Sequence, residues 1–178
     1  VAWALASAQS DRVASLTVLS TPHPRALLAA LRCSDQGLRS SYVGFFQLPI
    51  CPEQVLLTAN AAVLRRVLRR SGLSEGCTDA YVTRQQQPGA LTASLAWYRA
   101  IASSGMPPGD VPVPTRFVWS SGDAALGRRA AELTGDHVSG DYDFQVVDGA
   151  PHWLPAERDR PVARANLRQV GVLRLDAA

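Results

Sequence analysis

Thr115-Arg116-Phe117-Val118-Trp119-Ser120-Ser121-Gly122-Asp123 and, one unit later, Phe144-Gln145-Val146-Val147-Asp148-Gly149-Ala150-Pro151-His152-Trp153 decide the fold. Each opens with a short β-branched and aromatic run and stops at a Gly-containing turn, the pattern of a strand buried on both faces. Between them residues 124–134, rich in Ala, Leu and Arg, predict a helix. Upstream, residues 13–19 (VASLTVL) give a third apolar run, closed by Ser20-Thr21-Pro22, and residues 1–8 read as a helix ahead of it. Strands alternating with helices predict an α/β fold with about three parallel strands and flanking helices.

A long insert separates the first strand from the second. Residues 22–112 change to helical patterns at 24–31, 36–46, 52–71 and 91–103, ended by Pro107-Pro108-Gly109 and Pro112. The expected organisation is an α/β core from residues 1–21 and 113–178, a helical lid from 22–112, and a last helix near 162–170. Three strands alone leave one sheet edge bare. The chain also opens on Val1, in mid-pattern and without Met. The expectation is therefore a fragment whose missing strands lie upstream.

Composition narrows the function classes. With 178 residues, 47% hydrophobic and 19% charged, the chain has ordinary globular content, which excludes a disordered tail. No apolar run approaches the roughly 20 residues of a membrane helix, so no membrane partner is expected. All 18 basic residues are Arg and the net charge is only +3. The one basic stretch, Arg65, Arg66, Arg69 and Arg70, alternates with Val63, Leu64, Val67 and Leu68 at helical spacing. That is a solvated helix face without interleaved aromatics, so no nucleic-acid partner is expected. Cys33, Cys51 and Cys77 form no CxxC pair and have no His at zinc-ligand spacing. Free thiols point to a reducing, cytoplasmic setting, and neither a metal nor an organic cofactor is implied. The oligomeric state is left open.

Asp123 and His152 each sit just past the carboxyl end of a predicted strand, the edge where open parallel sheets build their sites. An acid that fixes the tautomer of a His, leaving the other ring nitrogen as base, is the second half of a nucleophile–acid–base triad. Asp after a strand is often only a helix cap, here for Ala124 onward. The pairing and the chain order, acid and then His, favour catalysis. The rival base, His23, lies between Pro22 and Pro24 and reads as a turn residue, and His137 falls in a polar loop.

Several segments together resemble the soluble-type epoxide hydrolases, a family of α/β-hydrolases. Val1–Leu19 with Ser20-Thr21-Pro22-His23-Pro24 is similar to the stretch after that family's nucleophile elbow. Ser41-Tyr42-Val43-Gly44-Phe45-Phe46-Gln47-Leu48-Pro49, leading to Pro52-Glu53, resembles its first lid motif. Pro88-Gly89-Ala90-Leu91-Thr92-Ala93-Ser94-Leu95-Ala96-Trp97-Tyr98-Arg99 resembles the second, and Gly149-Ala150-Pro151-His152-Trp153 its catalytic His segment. The resemblance implies the C-terminal part of an α/β-hydrolase fold and a small, apolar, epoxide-like substrate. Tyr42 and Tyr98 would donate hydrogen bonds to the epoxide oxygen. Phe46, Trp97 and Trp153 would line the pocket. His152, oriented by Asp123, would activate water against an Asp ester, giving a vicinal diol.

The family's Gly-x-Asp-x-Gly elbow and His-Gly-x-Pro loop do not occur in the chain. It is therefore expected to be inactive alone. A haloalkane or haloacid dehalogenase and a serine esterase share the acid–His pair and remain alternatives. So does a non-catalytic remnant acting as an interaction protein.

Overall fold

The computed structural model describes residues 1–103, 105 and 108–157. Three parallel strands, β1 (Leu16–Leu19), β2 (Thr115–Ser120) and β3 (Tyr142–Val147), pair in the order β1-β2-β3. Leu19 aligns with Val118, and Ser120 with Val147. All three chains thus leave the sheet at one edge, where Ser20, Asp123 and His152 follow. Phe117 and Phe144 are direct cross-strand partners and stack with centroids 5.6 Å apart, one reason this register holds.

The sheet core gathers Trp3 and Ala6 of α1 (Ala2–Ala8) with Leu16, Val18, Phe117, Trp119 and Ala131. Helix α2 (Pro24–Cys33) packs on this layer, beside α8 (Arg128–Glu132) and the 3₁₀ turn Leu133–His137. Its buried Ala26 and Ala30, four apart, permit that close approach. Helix α2, within the insert expected over residues 22–112, thus lies against the sheet layer.

The remainder of the insert, expected to be a lid, comprises α3 (Gln36–Arg39), α4 (Ser41–Phe46), α5 (Cys51–Arg70), α6 (Glu75–Gln85) and α7 (Ala90–Ser103). It has its own core of Leu56, Ala61, Leu64, Val82, Leu91 and Leu95. Three expectations need correction. The helix over 36–46 is two helices meeting at Ser40. The helix over 52–71 breaks where Thr58 is extended and Ala59, Asn60 and Ala61 are left-handed. The helix over 124–134 starts only at Arg128, because the Asp123 carboxylate holds the backbone of the intervening turn. Helix α6 was not expected at all: only Thr78 and Val82 are buried, too thin a stripe to read as amphipathic. A short α9 (Leu154–Glu157) follows His152. The helix expected near 162–170 lies outside the described residues.

Candidate functional site

The carboxyl edge of the sheet assembles the predicted acid and base. Asp123 leaves β2 through Ser121-Gly122, and its side chain is fully buried. One carboxylate oxygen, Oδ1, accepts the backbone N–H groups of Ala125 and Leu126 at 2.8 and 2.9 Å. The other, Oδ2, lies 2.8 Å from His152 Nδ1. Both oxygens are thus engaged: Asp123 caps the turn and holds the His152 ring at once. A carboxylate at Nδ1 places the ring proton there and leaves Nε2 with its lone pair.

The His152 loop is fixed by three serines that were not singled out from the sequence. Ser20 Oγ donates to the His152 carbonyl at 3.0 Å, and Ser120 Oγ donates to the Pro151 carbonyl at 2.8 Å. Ser121 Oγ accepts from Gly149 N–H at 2.8 Å. Ser20 is buried and adopts a positive φ of 57°, uncommon for a residue with a Cβ. A side chain at Gly122 would come within 2.7 Å of the Ala150 carbonyl, so the two loops touch only because that position is glycine.

The lid meets this loop from above. Trp153 donates its indole N–H to Ser71 Oγ at 2.8 Å and lies 5.6 Å from the Tyr81 ring. Gly72, at φ +91°, packs so tightly on Pro151 that an added Cβ would approach Pro151 Cβ to 2.3 Å. Tyr42 and Tyr98, from α4 and α7, come together with ring centroids 5.8 Å apart, and Phe46 stands edge-on to both at 5.4 and 5.0 Å. Burial, then the Tyr98 hydroxyl and the Asp123 charge, push Tyr42 up to about 12. Burial also raises Tyr98. Both phenols therefore stay protonated and able to donate at neutral pH.

Arg99 welds the two motifs together. Its guanidinium makes a bidentate pair with Glu53 at 2.9 and 3.1 Å and donates to the carbonyls of Phe46 and Leu48, both at 3.0 Å. That bond to Arg99 holds the Glu53 carboxyl below its usual range. The Pro-Glu step of one motif and the terminal Arg of the other are thus a single clamp. Their pairing was not foreseen from the sequence.

No model of a known protein family matches the chain. The AB hydrolase superfamily protein YfhM of Bacillus subtilis is 34% identical over 165 residues, covering 89% of this chain and 57% of that protein. Human epoxide hydrolase 4 is 31% identical over 172 residues, covering 90% of this chain and 47% of its own length. A mutant epoxide hydrolase from Bacillus megaterium, solved with its naphthyloxy-propanediol product, superposes with a TM-score of 0.79 at 18% identity. That match covers 95% of this chain and 64% of the other. The chain has the α/β-hydrolase fold and is epoxide hydrolase-like in sequence. It spans about half the length of the curated relatives it matches.

Trp97, Phe46 and Trp153, expected to line the pocket of this epoxide hydrolase-like chain, differ in exposure. Trp97 is 72% exposed, because the buried positions of α7 are Leu91 and Leu95 and a residue two further on faces away. Phe46 and Trp153 are half-buried against the tyrosines and the His152 loop respectively. His23 is fully buried as the cap of α2: its Nδ1 accepts Arg25 N–H at 3.2 Å and its ring stacks on His137 at 4.8 Å. Gly72-Leu73-Ser74-Glu75-Gly76 has the Gly-x-Ser-x-Gly spacing of a serine elbow and was passed over in the sequence. The structure removes it as a nucleophile site. Ser74 is exposed and caps α6 in the lid, with a helix and not a strand before it.

Proposed function

We propose that this chain supplies the acid–base pair and the lid donors of an epoxide hydrolase acting on a small apolar epoxide. The observation that carries the reading is the joint arrangement of Asp123–His152 at the sheet edge with the paired phenols Tyr42 and Tyr98 in the lid.

An Asp nucleophile, in the part of such proteins that this chain does not span, attacks a ring carbon and the C–O bond breaks. The oxygen that leaves carbon gathers negative charge, and Tyr42 and Tyr98 donate to it; one phenol passes its proton to the alkoxide. His152 Nε2 then takes a proton from water, and the hydroxide attacks the ester carbonyl. Collapse of that adduct returns the carboxylate and frees the diol, and the imidazolium proton passes back to the phenolate, restoring both His152 and the phenol. Asp123 stabilises the imidazolium formed in between. Phe46 and Trp153 present apolar surface to the substrate. The chain alone lacks the nucleophile and is not expected to turn over, and a cytoplasmic setting belongs to the same proposal.

The dehalogenase reading shares Asp123 and His152 but gives two neighbouring phenols nothing to do. The test is epoxide hydrolysis by a polypeptide that joins this chain to a nucleophile-bearing segment, beside Tyr42→Phe and Tyr98→Phe. Loss of one oxyanion-type donor is expected to lower kcat by roughly 100-fold in each variant. Turnover at the parental rate in both variants would falsify the role given to the lid.

A further inference from the structure

Gln36 makes a set of bonds that neither its sequence context nor the acid–base pair explains. It is fully buried, although α3 is only four residues long. Its Oε1 accepts Gly127 N–H at 2.8 Å. Its Nε2 donates twice, to the Ala125 carbonyl at 2.9 Å and to Ser40 Oγ at 2.8 Å. One acceptor and both donors of the amide are in use, so the group is costly to remove and restrictive in geometry.

The partners fall on two sides. Ala125 and Gly127 belong to the turn that Asp123 caps, some ninety residues away in sequence. Arg39, one helical turn beyond Gln36, holds the same turn by donating to the Asp123 carbonyl at 3.0 Å. Ser40 lies immediately before α4, two residues ahead of Tyr42. A single buried amide therefore joins the loop of the acid to the start of the helix that carries a lid phenol. The charge of Asp123 reaches Tyr42, so the two ends are close.

We propose that Gln36, seconded by Arg39, is a positioning residue that sets the Asp123 loop and the Tyr42 helix in fixed relation. The inference rests on the catalytic reading above for its meaning but not for its test. Displacement of Asp123 by about 1 Å loosens the Nδ1–H···Oδ2 bond, and misplacement of that size costs on the order of 100-fold in rate.

The experiment is proton NMR of the chain labelled at histidine nitrogen, reading the strongly deshielded Nδ1 proton of His152. Gln36→Met keeps the volume and deletes all three bonds. Thr78→Val serves as control, since Thr78 is equally buried but lies in α6. The signal is expected to be sharp in the parent and in Thr78→Val, and broadened or lost in Gln36→Met. Arg39→Met, at a partly exposed site, is expected to broaden it by a lesser amount. An unaltered signal in Gln36→Met, or in Arg39→Met should the first variant not fold, overturns the proposal. In a nucleophile-bearing protein, Gln36→Met is further expected to lower kcat between roughly 10- and 100-fold. Loss of the NMR signal in Gln36→Met, beside a nucleophile-bearing parent that shows no epoxide turnover, would sink the catalytic reading and leave the positioning role standing.

Discussion

His23 shows how a residue with catalytic chemistry can be committed to structure. It sits between Trp3 and His137, 5.1 and 4.8 Å from their rings, with Nδ1 accepting Arg25 N–H. Among the described residues its Nε2 lacks a hydrogen-bond partner of good geometry, and the nearby Gly109 backbone is the main influence opposing the shift. Burial first, then the neighbouring His137, lower its pKa from 6.5 to about 4, while nearby Asp110 opposes weakly. The folded state thus prefers the neutral ring. This contribution to stability is complete above pH 6.5 and is lost as pH falls from 6.5 through 4, on the order of 3 kcal/mol in total. Asn at this position keeps a capping oxygen and cannot charge. Urea midpoints measured from pH 7 to pH 4 are therefore expected to fall more steeply in the parent than in His23→Asn. Parallel pH profiles would show that another group carries the acid sensitivity. At this scale the sequence foretold the juxtaposition of Asp123 and His152, because each follows a strand end at the same sheet edge. It was silent on Ser20, Ser120 and Gln36, whose roles come from partners far away in the chain.

Elements were legible where their own pattern carried them and obscure where tertiary contacts did. The apolar runs at β1, β2 and β3 and the strong apolar stripe of α7 could be read directly. The break in α5 could not: Thr58-Ala59-Asn60-Ala61 has no Gly or Pro, and Ala is the best helix former. The break is paid for by contacts outside the segment. Asn60 Oδ1 accepts from Gln86 Nε2 at 2.7 Å, and Ala61 is fully buried in the lid core. Three consecutive left-handed residues cost roughly 1–2 kcal/mol each. Ala59 is exposed and carries a φ of 50° with no buried contact in return. In a regular helix Ala→Gly is destabilising by about 1 kcal/mol. Here the sign is expected to reverse, Ala59→Gly stabilising by roughly 0.5–1 kcal/mol and raising Tm by a few degrees. A fall in Tm would mean that α5 runs unbroken through this segment.

On the scale of the whole molecule, the sheet core and the lid core share no residue. Among the described residues, two polar or ring contacts run between them away from the α2–α3 connection. One is the polar seam of Gln36 and Arg39 on the acid loop, and the other is the contact of Ser71, Gly72 and Tyr81 with Pro151 and Trp153. Polar contacts at a seam contribute about 1 kcal/mol each, less than the packing inside either core. The lid should therefore open as a unit before the sheet does, as local stability theory expects where few buried apolar contacts cross a boundary. Such opening at the Ser71–Trp153 seam would admit substrate without disturbing the Asp123–His152 pair where Gln36 and Arg39 keep the acid loop and Ser20 and Ser120 keep the His152 loop. Trp153→Phe keeps a ring beside Tyr81 but deletes the N–H that reaches Ser71. Amide exchange followed residue by residue is expected to quicken about fivefold in α6 and in the last turn of α5, and to stay unchanged in β2. Equal acceleration in β2 would mean that the two cores unfold as one, and that any gate for the substrate lies elsewhere than this seam.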